Sequence, residues 1–454
     1  MTWADRVPAG PAPQGPALRR LGSPSMPLGY PPKQAGARAR RSYLKTPAFW
    51  MLLVLFAVGV WRVGEILGRS FESYPVGTAV SVVLFALYAI PFVLLLRMID
   101  YLEREPLPLQ ATAFAWGGLV ATSAAISGGA ALQNILAKLA SPGFATRWGP
   151  AVAGAGVEEI LKVLGVVAIA LVARAHVNGV VDGFVYGALI GLGFQVVENV
   201  VFAVNAVALD GGTDQVGPVV VTFLLRGFLG GLWSHTLFTA LGGAGVAYAL
   251  VRRDRSLGTR LAVALALFCA AWGFHFLWNS PLLEGGFGHS AAGLMAALLI
   301  KGIPVLIVGV TLIVAAERRE SGYYAAMLAG LADPRVATPE EITALVSPRQ
   351  RIRARRQAQV RLGRGGARAV RRLQRAQARL AVALSRDPGA EVSRRRREVL
   401  GRRHQLLALG IAAAETPVRR RPALAAATVV VAEALVVALL VLGIGLAIRA
   451  LGGS

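Results

Sequence analysis

Long apolar stretches separated by short polar ones dominate this chain. The apolar segments fall at 48–67, 76–96, 107–137, 150–173, 179–208, 218–251, 258–280, 290–316 and 423–449. Each can cross about 30 Å of hydrocarbon as an α-helix, which rises about 1.5 Å per residue. The pattern therefore predicts an all-α, polytopic transmembrane helix bundle, with about eight core spans and one C-terminal span.

Two of these segments are longer than one span and are expected to be irregular. In 107–137 we expect a bend near the small residues 127–129. In 218–251 we expect the first turns to lie in the membrane interface, because Arg226 would be costly deep in lipid.

Composition divides the chain into four regions. Residues 1–46 are rich in Pro, Gly and Arg and lack an apolar run, which indicates a disordered basic leader and not a signal peptide. Residues 47–316 form the transmembrane core, 317–422 an Arg-rich cytoplasmic helical region, and 423–454 a C-terminal transmembrane helix. Apolar residues recur among the arginines of 317–422, on both sides of a turn signal at 387–389. This predicts two basic amphipathic helices, folded back or lying on the membrane.

The charge balance is strongly basic, with a formal net charge of +24 and only 16% charged residues against 55% hydrophobic ones. Such an excess suits nucleic acid, an anionic membrane surface or membrane topology. We favour anionic lipid as the partner of the Arg-rich region and expect no nucleic acid, because the region has few aromatic residues for base stacking. The single cysteine, Cys269, excludes an intrachain disulfide.

The loop charges predict the orientation of the spans. The leader and the second, fourth and sixth loops carry arginines, whereas the loops around Asp214 and Glu284 carry neither Lys nor Arg. By the positive-inside rule the N-terminus is cytoplasmic in this multi-pass protein, and we expect its membrane to be a bacterial cell membrane.

This orientation makes a first testable prediction. Reporter fusions after Arg255 and within residues 340–410 should read cytoplasmic, and fusions near Asp214 and Glu284 should read external. Paired alkaline phosphatase and fluorescent-protein fusions measure this directly. A cytoplasmic reading at Asp214 would reverse the orientation.

Five ionisable residues lie inside apolar segments: Glu158, Glu159, Glu198, His235 and His275. Inserting a charged side chain into hydrocarbon costs about 2.5–3.5 kcal/mol of free energy. Charged residues in membrane spans are therefore usually ion-paired, neutralised or functional. With the orientation above, the four helices that carry them place these groups in the same outer half of the membrane. This shared depth favours one common site.

Helical spacing gives most of these residues a polar neighbour on the same face. The pairs are Glu158/Lys162, Glu159/Lys162, His235/Thr239 and His275/Asn279, and Asn199 directly follows Glu198. An ion pair that only locks helices, or a histidine used in packing, explains any one of them. The whole set is better explained as a functional site. Glycines at 183, 187, 191, 227 and 231 have the spacing of close helix packing.

In this order, the motifs resemble the PrsW family of intramembrane proteases, which belongs with the CAAX-protease and bacteriocin-processing membrane enzymes. The motifs are Glu158-Glu159-x-x-Lys162, Asp182-Gly183-x-x-Tyr186-Gly187-x-x-x-Gly191-x-Gly193-Phe194-x-x-x-Glu198-Asn199, His235-x-x-x-Thr239 and His275-x-x-x-Asn279, after the acidic turn Asp100-Tyr101-x-Glu103-x-Glu105-Pro106. The resemblance covers roughly residues 76–316. The loop at 175–179 lacks the acidic-Pro step of many members, and the tail lies outside the resemblance.

The resemblance implies an intramembrane peptidase that hydrolyses membrane-associated protein or peptide substrates, and some members cleave an anti-sigma factor. A glutamate can take a proton from the attacking water, and a His or Asn can donate to the oxyanion. We assign Glu158 and Glu159 to water activation with Glu198 as partner, and His235 as metal ligand or oxyanion donor. The supporting residues are Lys162, Asn199, Thr239, His275 and Asn279.

Zinc is the candidate cofactor, and its candidate ligands are Glu158, Glu198, His235 and His275. The HExxH spacing of many metalloproteases is missing, so metal dependence stays open. The alternative functions are a non-catalytic membrane scaffold, or a proton- or cation-coupled transporter that uses the same carboxylates. The motifs do not recur in two inverted halves, which argues against the transporter.

Overall fold

The computed structural model describes residues 46–100, 105–283, 291–386 and 389–411, and every regular element within them is helical. The predicted all-α class is confirmed for these residues. The predicted leader, apart from residue 46, and the predicted C-terminal span lie outside the described residues. The chain divides into two compact units, and the division falls between Ile313 and Val314.

The first unit holds the predicted transmembrane segments that the structure describes. Its α-helices are α1 (Pro47–Ser73), α2 (Pro75–Ile99), α3 (Leu107–Ala115), α4 (Thr122–Leu139), α5 (Pro142–Gly149), α6 (Ala155–Val172), α7 (Val180–Leu209), α8 (Gly217–Thr222), α9 (His235–Val251), α10 (Leu257–Asn279) and most of α11 (Ala291–Ala329). Wider π-helical turns occupy Trp116–Ala121, Pro150–Gly154 and Phe223–Leu229, and tighter 3₁₀ turns occupy Arg174–His176 and Gly231–Trp233.

Six described stretches are long and apolar enough to cross a membrane. They are Pro47–Ser73, Pro75–Ile99, Leu107–Leu139, Val180–Leu209, Leu257–Asn279 and Ala292–Ala329. Two other predicted core spans do not meet that test. The helix α6 carries three charged residues within its 18, and α9 has 17 residues. The count of eight core spans therefore stays a prediction.

The helix α7 is the central element of the first unit, and most of its residues are buried. Its glycines at 183, 187 and 191 face α9, and a Cβ on each would overlap a backbone carbonyl of that helix. Those carbonyls belong to Gly243, Thr239 and His235 respectively. Close packing as the role of this glycine repeat is confirmed, and it brings the start of α9 against the middle of α7.

The bend expected near residues 127–129 is wrong. Those residues are α-helical within α4, and the irregular turn lies earlier, at Trp116–Ala121. Gly117 stands in this π-helical turn, where a Cβ would overlap the carbonyl oxygen of Ile190. The irregularity therefore lies where the chain approaches the backbone of α7 closely.

The segment 218–251 is not one continuous span. It breaks at Gly230–Ser234, so His235 begins α9 instead of lying inside a span. Gly231 is packed against Tyr88, whose hydroxyl a Cβ at this position would overlap. Tyr88 is held there by a hydrogen bond from Gln195 Nε2 at 2.8 Å. The interruption of the helix accommodates the Tyr88 side chain. His235, which follows it, contacts residues of α6 and α7.

The second unit contains the end of α11 and three further helices, α12 (Pro339–Val346), α13 (Pro348–Arg386) and α14 (Ala390–Ala408). Thr338 caps α12 in a capping box with Glu341. The helix α13 is kinked at Leu362 and Gly363, where φ is +65° at the glycine, a conformation that favours this residue. Two amphipathic helices are expected for residues 317–422, whereas the described part of this region contains the end of α11 and three further helices, one of them kinked.

Candidate metal and active site

The helix α6 carries two acids and one base on the same face. Lys162 Nζ lies 3.0 Å from Glu158 Oε2 and 3.0 Å from Glu159 Oε1, as the spacing predicts. The Lys162 side chain is fully buried, and the ring centroid of Phe194 lies 3.8 Å from its Nζ. One buried ammonium therefore compensates two carboxylates, of which Glu159 is fully enclosed and Glu158 is 12% exposed.

His235 links α6 to α7. Its Nδ1 lies 2.8 Å from Lys162 Nζ, and its Nε2 lies 3.0 Å from Glu198 Oε2. An ammonium has hydrogens to donate and no lone pair, so Nδ1 accepts from Lys162 and the Nε2 hydrogen is donated to Glu198. The carboxylate of Glu198 thereby fixes the orientation of the imidazole.

Glu159 is fully enclosed, and both its oxygens are occupied. Oε1 contacts Lys162 and lies 2.9 Å from His275 Nδ1, while Oε2 accepts a hydrogen bond from Thr239 Oγ1 at 3.1 Å. The sequence predicts a role in water activation for Glu159. In the structure this carboxylate contacts Lys162, Thr239 and His275, and its role stays a prediction.

His275 comes from the last turns of α10 and is fully buried. Its ring stacks on Phe238 with centroids 5.1 Å apart and planes 18° apart. The second ring nitrogen, Nε2, lies 3.1 Å from Asn279 Nδ2. The same amide donates a hydrogen bond to the Pro150 carbonyl at 3.2 Å. The predicted His275/Asn279 pair is therefore in contact.

Sequence reasoning missed Arg226 as a partner in the site. Its Nη2 donates to Glu198 Oε2 at 2.6 Å and its Nε to Asn199 Oδ1 at 2.9 Å, while its guanidinium lies 3.6 Å from the ring centroid of Phe202. The cost of an arginine in an apolar segment was explained by interface placement alone. Pairing with an acid inside the membrane also offsets this cost. An arginine in an apolar segment could therefore have indicated an acidic partner from the sequence.

Three side chains of the first unit have the donor chemistry of a metal site. Glu158, His235 and His275 each offer a ligand atom, and these atoms lie within 4.8 Å of one another. Glu158 Oε2 lies 3.7 Å from both His235 Nδ1 and His275 Nε2. Those distances are too long for hydrogen bonds, but they are short enough for the three side chains to bind one ion.

The remaining nitrogen of each histidine is held by a carboxylate, as is usual for metal-binding histidines. Glu198 holds His235 and Glu159 holds His275. Two histidines and one glutamate form a known ligand set of catalytic zinc, which leaves a fourth position open. The three residues therefore fit a divalent metal, and Glu198, a further candidate ligand from the sequence, contacts His235 Nε2 at 3.0 Å.

Charge also suits a cation at this site. Three carboxylates, Glu158, Glu159 and Glu198, face two side-chain cations, Lys162 and Arg226, which leaves one negative charge in excess when all are ionised. The Nδ1 of His235 has a single lone pair, so it can serve either Lys162 or a metal.

Residues 105–330 match the model of a family described as PrsW family intramembrane metalloprotease. The chain belongs to the PrsW family. The resemblance noted in the sequence is thereby confirmed, and all the candidate site residues lie within the matched part. No curated protein and no solved structure matches the chain.

Membership of the PrsW family implies an intramembrane peptidase that acts on protein or peptide substrates. The apolar helices agree with a multi-pass integral membrane protein. The family description names a metalloprotease, and the PrsW-matched residues include the Glu158, His235 and His275 group.

Proposed function

We propose that this chain hydrolyses peptide bonds of membrane-associated proteins at a metal centre held by Glu158, His235 and His275. The observation that carries the proposal is this compact two-His, one-Glu group, in which each histidine is oriented by its own carboxylate. An anti-sigma-factor-type membrane regulator is the substrate class that the family resemblance suggests.

Zinc, the proposed cofactor, would polarise the scissile carbonyl and acidify the attacking water. The side chains of Glu158 and Glu198 are 12% and 16% exposed, whereas that of Glu159 is fully enclosed. Because Glu158 is a proposed metal ligand, we assign Glu198 as the base that takes the proton of the attacking water. Glu159 acts by holding His275 in place.

Two further residues complete the proposed site. The Asn279 amide lies beside His275 Nε2, the nitrogen that faces Glu158, so we assign it as hydrogen-bond donor to the developing oxyanion. Lys162 compensates the paired carboxylates of α6 and keeps them close together. Arg226 restrains Glu198, which in turn orients His235.

The metal assignment is tested on the purified full-length protein by mass spectrometry of bound metal. Wild type should carry about one zinc ion per chain, and His275→Ala should lose most of it, because one of three protein ligands is gone. His176→Ala is the matched control, since this partly exposed histidine lies by Glu105 and outside the group. Metal-free protein that cleaves its substrate in the presence of a chelator would overturn the metal assignment.

Proteolysis itself is tested by sequencing new protein N-termini in native membranes. Membranes with the wild type should contain fragments of membrane-associated proteins that are absent with His275→Ala at equal abundance. Identical fragment sets in the two membranes would contradict the proposal and favour the scaffold or the transporter.

A further inference from the structure

The proposed proteolytic activity does not explain residues 339–411, which we call the arginine-rich module. It contains 19 arginines, no lysine and 5 acidic residues, a formal net charge of +14, and no Phe, Tyr or Trp. Arginine binds phosphate groups through two parallel hydrogen bonds. The composition therefore points to a partner that is rich in phosphate groups.

The apolar faces of this module are already used inside it. Val370, Leu373 and Leu380 of α13 and Val399 and Leu406 of α14 are all buried. These side chains cannot insert into lipid while the unit is folded. An amphipathic helix lying on the membrane by its apolar face, one reading of the sequence, is therefore not the arrangement of these residues.

Aliphatic side chains remain exposed at the kink of α13. Val360 is 88% exposed and Leu362 is 42% exposed. We call residues 360–364 the kink tip. The tip is non-helical at Leu362 and Gly363, so it projects two aliphatic side chains where the helix is interrupted.

Arginines without an acidic partner lie within the kink tip and on both sides of it in the sequence. They are exposed, and none has an acidic partner among the described residues: Arg353, Arg356, Arg361, Arg364 and Arg368. The acidic residues of the unit pair elsewhere, as Glu341 does with Arg403 and Glu391 with Arg394. Exposed aliphatic residues that alternate along the chain with arginines lacking acidic partners match a surface with anionic headgroups above hydrocarbon.

We propose that the kink tip docks on an anionic phospholipid surface, with Val360 and Leu362 entering the interface and the adjacent arginines binding lipid phosphates. A nucleic acid offers the same phosphates. It would leave both aliphatic side chains in water, and the module has no aromatic ring to stack on a base. The proposal is independent of the proteolytic site, which lies in the other unit.

The test uses the full chain in phosphatidylcholine nanodiscs, with Cys269→Ser and Val360→Cys carrying an environment-sensitive fluorophore. Vesicles with nitroxide-labelled lipid are added, either of phosphatidylcholine alone or with phosphatidylglycerol. At low salt the anionic vesicles should quench the probe roughly twofold and shift its emission to the blue, and high salt should abolish both effects. Neutral vesicles should do neither.

Matched variants isolate the tip and its charge. A fluorophore on Thr343→Cys, exposed on α12 beside Glu340, should not be quenched by either vesicle. Replacing Arg361, Arg364 and Arg368 together by Gln should abolish quenching at position 360, while replacing them by Lys should preserve it. The proposal is overturned by an unquenched probe on anionic vesicles, by equal quenching on neutral ones, or by stronger protection from added duplex DNA than from anionic lipid.

Discussion

Glu158→Gln should lower the rate of substrate cleavage by at least about 100-fold while the protein still accumulates. The amide keeps the size of the side chain, but it neither accepts a proton nor binds a metal as a carboxylate does. Lys162 keeps Glu159 as its partner, so the fold should tolerate the change. Cleavage is measured by the appearance of product fragments in native membranes at equal enzyme abundance.

The control for this substitution is Glu65→Gln. Glu65 forms ion pairs with Arg62 and Arg69 on α1, outside the site, and exposed pairs contribute little, so activity should remain near wild type. Adding His235→Ala to Glu158→Gln should lower the rate little further, because residues of one catalytic unit are not additive. Near wild-type cleavage by Glu158→Gln would make this carboxylate structural.

The helices and their order could be predicted because hydrophobic length is a strong local signal. The extent of α7 matches its predicted segment to within one residue at each end, Val180–Leu209 against 179–208. The break before His235 could not be predicted. It depends on Tyr88, which lies far away in the sequence and is positioned by Gln195 of a third helix.

The proximity of the candidate site residues was largely predictable, whereas the contacts of each one were not. Spacing of three and four residues placed Lys162 beside both Glu158 and Glu159. From the sequence alone, Glu158 and Glu159 are equally good partners for Lys162. Their difference arises from tertiary packing, since Thr239 and His275 occupy the oxygens of Glu159 while Glu158 keeps some exposure. The pairing of Arg226 with Glu198 has the same origin.

Lys162→Met should destabilise the first unit by about 3–5 kcal/mol, because it leaves a buried carboxylate without its cation. Glu159 would remain fully enclosed, with only Thr239 and His275 as partners. Unfolding of the full chain in mild detergent, followed by increasing amounts of denaturing detergent, measures the change. Lys138→Met is the control, since Lys138 is exposed on α4 and its loss should alter stability by less than about 0.5 kcal/mol.

The pairing is isolated by combining Lys162→Met with Glu159→Gln. The neutral amide removes the uncompensated charge, so the double variant should regain about 1–3 kcal/mol relative to Lys162→Met alone. It should nevertheless stay inactive, because His275 loses the carboxylate that orients it. Additive losses of stability in the double variant, or wild-type stability of Lys162→Met, would show that the ammonium does not compensate these acids. Stability and activity should separate here because Lys162 balances the charge of the two acids, whereas Glu159 also contacts His275, a proposed metal ligand.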